Sequence, residues 1–187
     1  MRLILYVQQN LESMKPVKWY KTFTGAGNRQ IIMSNYDIRE YIKTQQQETY
    51  RAFIIYGPGM GHKTALARQM AAQLGVYLFD LQAHFGANPD LAGRINTFGP
   101  RDLESLLLKL ELPERVVVVD NLDFLLNTWS NSHKRKFIDM VDIRLKFGVT
   151  HKTFIFMIQP DPFIIRHELK NTRGQPRLLP LDSFFAL

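Results

Sequence analysis

Lys63 and Thr64 stand at the end of a glycine-rich run, Gly57-Pro58-Gly59-Met60-Gly61-His62, which follows the apolar stretch Ala52–Tyr56. An apolar strand that breaks into glycines and then a Lys-Thr pair is the order of parts that holds a nucleoside triphosphate. The glycines let the backbone turn its N–H groups inward onto phosphate oxygens. A lysine in that place reaches the β- and γ-phosphates, and a threonine hydroxyl ligates Mg²⁺, so ATP and Mg²⁺ are the cofactors to expect. The helix expected over 63–74, with Ala65 in its first turn, ends at Gly75 and would aim its positive end at the phosphates. One position departs from the G-x-x-x-x-G-K-[ST] pattern, where His62 replaces the glycine before the lysine. Its side chain either reshapes the loop or projects outward. The competing reading is an ordinary glycine-rich turn between a strand and a helix.

A second group of residues could share that chemistry. The run RVVVVDNLDFLL, residues 115–126, opens with four valines, as does a strand buried on both faces of a parallel sheet. Asp120 ends it, which places a carboxylate at the edge where open α/β folds hold their ligands. About 55 residues after the loop, an acid there can hold Mg²⁺ beside Thr64. A turn-forming aspartate is the plainer alternative.

The elements that must position these groups follow from the pattern. Strands are expected over 52–56, 76–81, up to Asp120, 153–158 (ending at Gln159) and 177–181. Helices are expected over 34–47, where Ser34 with Asp37 resembles a capping box and Ile38, Tyr41 and Ile42 share a face, and from Pro100, with Leu103, Leu106, Leu107 and Leu110 aligned. Further helices are expected over 133–147 and 163–170, a polar turn over 171–176, and a long loop or broken helix over 86–99. Positive charge at His133–Lys136 is unfavourable at a helix start unless it is solvated or faces a phosphate or an acidic partner. Alternating strands and helices imply a parallel sheet covered on both faces.

At 187 residues the chain can bury one core without disulfides, and it has no cysteine for a disulfide, a thiolate metal site or a nucleophile. No apolar run suits a secretory signal or a membrane span, so a cytoplasmic protein is the expectation. The net charge of +7 is uneven. Residues 1–50 carry seven Lys/Arg against four Asp/Glu, residues 51–130 seven against eight, and residues 131–187 ten against five. That basic third could meet nucleic acid or an acidic partner, or simply solubilise the surface. Two parts are expected, a segment over 1–50 that packs on the core and a nucleotide-binding domain over 51–187.

With the loop, the valine strand and the Gln159 strand in place, residues 50–182 resemble a P-loop ATPase of the AAA+ class. The flavour is similar to the replication-initiator and transposition-helper ATPases, which often follow the valine-type strand with Asp-Glu-x-Asp; here the residues are Asp120-Asn121-Leu122-Asp123. The runs VVVVDNLDFL and FIFMIQPDP also resemble the small P-loop proteins of bacteriophage-exclusion (BREX) defence systems. The resemblance implies a three-layer P-loop NTPase core with a five-stranded parallel sheet and an extra strand lying between the loop strand and the metal strand; the helical lid that normally follows the last strand in that class, with its own arginine, is expected to be missing here. It implies phosphate and metal roles for Lys63, Thr64 and Asp120, and a γ-phosphate sensor at Gln159. It also implies an arginine at Arg173 or Arg177 that completes a neighbouring subunit's site. Asn121 takes the place of the catalytic glutamate; an amide can orient water but cannot accept its proton, and Asp123 is the nearby carboxylate that could substitute. The implied function is an ATP-binding switch or assembly factor, with slow or partner-dependent hydrolysis, working with protein partners or copies of itself. A DNA-stimulated ATPase that remodels proteins on nucleic acid, and an adaptor that has lost nucleotide use, are the alternatives.

Overall fold

The computed structural model describes residues 36–59 and 62–184. Expectations that rest on Ser34, Met60, Gly61 and residues 1–33 lie outside them.

Five strands form one all-parallel sheet: β1 (Ala52–Tyr56), β2 (Tyr77–Asp80), β3 (Val116–Asp120), β4 (Thr153–Ile158) and β5 (Leu178–Pro180), in the order β2-β3-β4-β1-β5. β1 and β4 keep the boundaries expected from their short apolar runs. β4 lies between β1 and β3, with Ala52 opposite Phe154 and Val116 opposite Thr153. All residues of β3 and β4 are buried. Their side chains alternate between two cores, because successive residues of a strand point to opposite faces. Ile54, Val117, Val119, Phe154 and Phe156 face one core, and Phe53, Ile55, Val118, Ile155 and Met157 face the other.

Helices cover both faces. On one lie α1 (Ile38–Gln47), through Ile38, Tyr41 and Ile42, and α2 (His62–Leu74), through Leu66, Ala67 and Met70. The other face carries α3 (Leu81–Ala87), α5 (Pro100–Leu108), α6 (Asp123–Thr128) and α7 (Asn131–Asp139), while the short α4 (Pro89–Ala92) buries no residue of its own. Asp37 caps α1 by accepting from the N–H groups of Arg39 and Glu40 at 2.8 and 3.3 Å, so the helix starts later than the Ser34 pattern suggests. Ser130 caps α7 in the same way, through the N–H of His133 at 3.3 Å. The helix expected over 133–147 is interrupted: its C-terminal end widens into a π-turn, Met140–Arg144, and stops at Leu145.

The segment expected as a helix over 163–170 is a capped turn instead. Asp161 accepts from the N–H groups of Phe163 and Ile164, which starts a turn. The chain then leaves helical geometry because the Leu169 carbonyl accepts from the Arg177 N–H at 2.7 Å and Lys170 bridges to Pro176. Tertiary pairing overrides local propensity here.

Arg177 locks that region. It is fully buried, and its guanidinium donates to the carbonyls of Lys170, Ala52, Val141 and Asp142 and to the Asp142 carboxylate. Its Cζ lies 4.9 Å from the Tyr50 ring centre. Burial pulls its pKa below the usual guanidinium value, and the Asp142 carboxylate offsets only part of that. Among the described residues no helix is long and apolar enough to cross a membrane.

Candidate functional site

Because all five strands run the same way, the turns after β1, β3 and β4 share one edge of the sheet. Gly57–Gly59, Asp120–Asp123 and Gln159 therefore meet there. The approach is tight at the root of the loop. The Gly57 N–H donates to the Ile158 carbonyl at 3.1 Å, and a Cβ on Gly57 would lie 2.9 Å from the Leu181 Cβ. Only glycine fits between those two neighbours without displacing one of them.

Lys63, in the first turn of α2, is buried and curls back over the loop. Its Nζ lies 3.4 Å from the Gly57 carbonyl oxygen and 3.4 Å from Asp123 Oδ2. The other Asp123 oxygen accepts from the Gln159 backbone N–H at 2.6 Å. The Gln159 side-chain amide in turn lies against the loop, with its Nε2 3.5 Å from where a Gly59 Cβ would be. One carboxylate thus ties the lysine at the start of α2 to the end of β4. Asp123 is the first residue of α6, a helix that the sequence reading passes over, and an ion pair sixty positions apart leaves no local pattern to find.

Asp120 is almost fully buried, and its Oδ1 has no hydrogen-bond partner. A buried carboxylate oxygen without a donor is costly unless a cation completes it. The Asp120 carboxylate and the hydroxyl of Thr64, which is half-buried in the first turn of α2, are oxygen donors of the kind a hard cation takes. No group of three or more His, Asp or Glu side chains arranged to hold a metal is present among the described residues. Most of such a cation's shell would therefore come from water or from a ligand. Mg²⁺ bound through one carboxylate and phosphate oxygens has that character.

Asn121 follows with a φ of 58°, the left-handed region that asparagine tolerates better than most residues. The backbone therefore supplies a reason for asparagine at this position that is independent of water chemistry. His62 begins α2 with its side chain exposed, and Pro58 and Ala65 are exposed as well.

The two arginines lie at the opposite edge, where β1 and β5 begin. Arg177 is sealed inside the chain as described. Arg173 pairs through Nε with Glu48 at 3.0 Å, and Glu48 also accepts from Thr172. The basic third of the sequence is largely paired internally. Lys134 bonds Asp161 at 2.6 Å, Arg144 bonds Glu104 at 2.8 Å, Lys170 bonds Glu168 at 2.6 Å, and Lys152 Nζ donates to the carbonyls of Leu112 and Glu114. The acidic partner that the start of α7 needs is thus Asp161. Burial, the largest influence on the Asp161 carboxyl, pushes its pKa up; Lys134 and the N–H groups of Ile164 and Phe163 outweigh it and hold it below the usual range.

Two surface clefts lie elsewhere. One, of about 160 Å³, is lined by Arg101, Glu104, Lys136, Asp139 and Arg144, and a larger one, of about 330 Å³, opens between α1 and the end of α2. Neither is lined by the loop, Lys63 or Asp120, and neither gathers groups suited to one chemistry. The paired lysine and the orphaned oxygen mark the loop edge as the better candidate.

No protein-family model matches this chain, and no curated protein matches it.

Proposed function

We propose that the chain is an ATP-binding subunit of P-loop, AAA+-like type that acts as a nucleotide-dependent switch or assembly factor, with slow or partner-dependent hydrolysis. The observation that carries this reading is the convergence, at one sheet edge, of the Lys63–Asp123 pair with the orphaned Asp120 oxygen. The position of β4 between β1 and β3 supports it, since an extra strand there is what the resemblance implies. ATP would present phosphate oxygens to Lys63, and Mg²⁺ would be held by Thr64 and Asp120 and neutralise phosphate charge. Asn121 offers no proton acceptor, and both Asp123 oxygens are engaged, which accords with slow turnover.

ATP and Mg²⁺ binding measured by calorimetry, with turnover in parallel, tests this. Wild type should bind ATP more tightly than about 1 mM, a free energy of roughly −4 kcal/mol. Lys63→Ala should lose that binding, and Asp120→Asn should lose its Mg²⁺ dependence. Wild-type binding absent at millimolar ATP would sink the proposal.

A structural adaptor without nucleotide is the second reading. The internal pairing of Lys63 favours it, because the ammonium already has a partner. The DNA-stimulated reading draws less support, since so many cations after residue 130 are tied to acids or carbonyls of the same chain.

A further inference from the structure

The geometry points to Asp123 as a resident counter-ion that a nucleotide's phosphate must displace from Lys63, and so as the residue that sets which anions the site accepts. The inference rests on the nucleotide-binding reading above and adds a gate to it.

Lys63 is buried, so its ammonium needs an anionic oxygen nearby in every state of the protein. Asp123 Oδ2 supplies one at 3.4 Å. The carboxylate is not a loose surface acid: it is about one-fifth exposed and its other oxygen is fixed by the Gln159 N–H. A phosphate oxygen approaching Lys63 therefore competes with a group already in place. An incoming ligand binds only the fraction of molecules in which Lys63 is free, and the apparent affinity falls by that fraction.

The released carboxylate has a second effect. Asp120 and Asp123 would then both face an incoming polyphosphate as like charges, which a divalent cation relieves. Asp123 should thus make anion binding depend strictly on Mg²⁺, and a bare phosphate should be rejected. The Gln159 N–H is the natural reporter, because its acceptor is the group that moves.

Substitution by asparagine removes the charge while keeping an acceptor for the Gln159 N–H. The test measures binding of ATP, inorganic tripolyphosphate and adenosine to wild type, Asp123→Asn and Lys63→Ala, with and without Mg²⁺, beside ligand-free melting temperatures. Asp123→Asn should bind ATP and tripolyphosphate about tenfold more tightly, as expected where Lys63 is free in roughly one molecule in ten. It should need Mg²⁺ less, gain nothing toward adenosine, and melt lower without ligand because Lys63 loses its partner. Asp123→Ser, also uncharged and able to accept from Gln159, carries the same expectation if the amide variant does not fold. Wild-type binding that depends on Lys63, with unchanged or weaker binding in both Asp123 variants, would overturn the gate and leave the nucleotide reading intact. No binding by wild type or by either variant would overturn both.

Discussion

Gly57 and Leu181 leave no room for a side chain between them: a Cβ on the glycine would sit 2.9 Å from the leucine Cβ and 3.1 Å from its Cδ2. The loop strand and the 3₁₀ turn after β5 are thereby held against each other at the candidate site. Gly57→Ala should cost about 1–3 kcal/mol, the usual range for overpacking. Urea denaturation checks this, and Gly57→Ala should cost less in a Leu181→Gly background, where the Cβ that the new methyl meets is gone, because residues in contact are not additive.

Asn121 permits a backbone test of the position where the resemblance expects a catalytic glutamate. At a φ of 58° glycine is at ease, whereas a glutamate pays for its Cβ. Asn121→Gly should stay within about 0.5 kcal/mol of wild type, and Asn121→Glu should lose about 1–2 kcal/mol. Equal stabilities in the same denaturation series would contradict the backbone account. A glutamate variant that fails to gain turnover is therefore uninformative unless its stability is measured too.

Arg177 donates five hydrogen bonds from inside the protein. A lysine cannot present donors in that fork, and an alanine leaves Asp142 and four carbonyls without their partner. Both substitutions should cost about 2–4 kcal/mol, since several buried carbonyls lose a donor at about 1 kcal/mol or more apiece. Chemical denaturation showing a loss below about 1 kcal/mol for Arg177→Lys would mean the fork geometry matters little.

Lys134 and Asp161 give a pH-dependent prediction. The Asp161 pKa is lowered in the folded protein, so its contribution is present above the unfolded value and lost as pH falls through the folded one. Asp161→Asn should cost about 1–2 kcal/mol near neutrality. The gap between the two proteins should close below about pH 4, near the ordinary aspartate pKa. A gap unchanged from pH 7 to pH 3 would show that the carboxylate's charge is not what stabilises the turn.

How far the sequence revealed this arrangement depended on whether the information was local. β1 and β4 were legible because each is a short apolar run bounded by punctuation, and β3 because its valines are buried on both faces. Gly57, Gly59, Lys63 and Asp120 stand at one edge of the sheet, where the ends of parallel strands bring them. α1 starts at Ile38 because Asp37, itself a capping residue type, accepts from the first free N–H groups of the helix, a choice the backbone makes and local composition does not. The segment after Phe163 was misread as a helix because its fate is decided by Arg177, which takes the Leu169 and Lys170 carbonyls. Nothing local marked Arg177 as buried, or Asp123 as the partner of a lysine in another helix. Both roles depend on contacts between residues far apart in sequence.

The strand order also constrains how the protein comes into being. β1 carries the loop, yet its two neighbours are β4, starting at Thr153, and β5, starting at Leu178. During synthesis from the N-terminus, the loop-bearing strand emerges early and waits, unpaired on both sides, for about a hundred residues to follow. Pairings of such wide sequence separation are slow to form and leave apolar strand edges open meanwhile. The candidate site is therefore completed late: a ribosome-bound chain that stops short of Thr153 should present Gly57 and Gly59 without Ile158, Gln159 and Leu181, which lie against them in the finished fold.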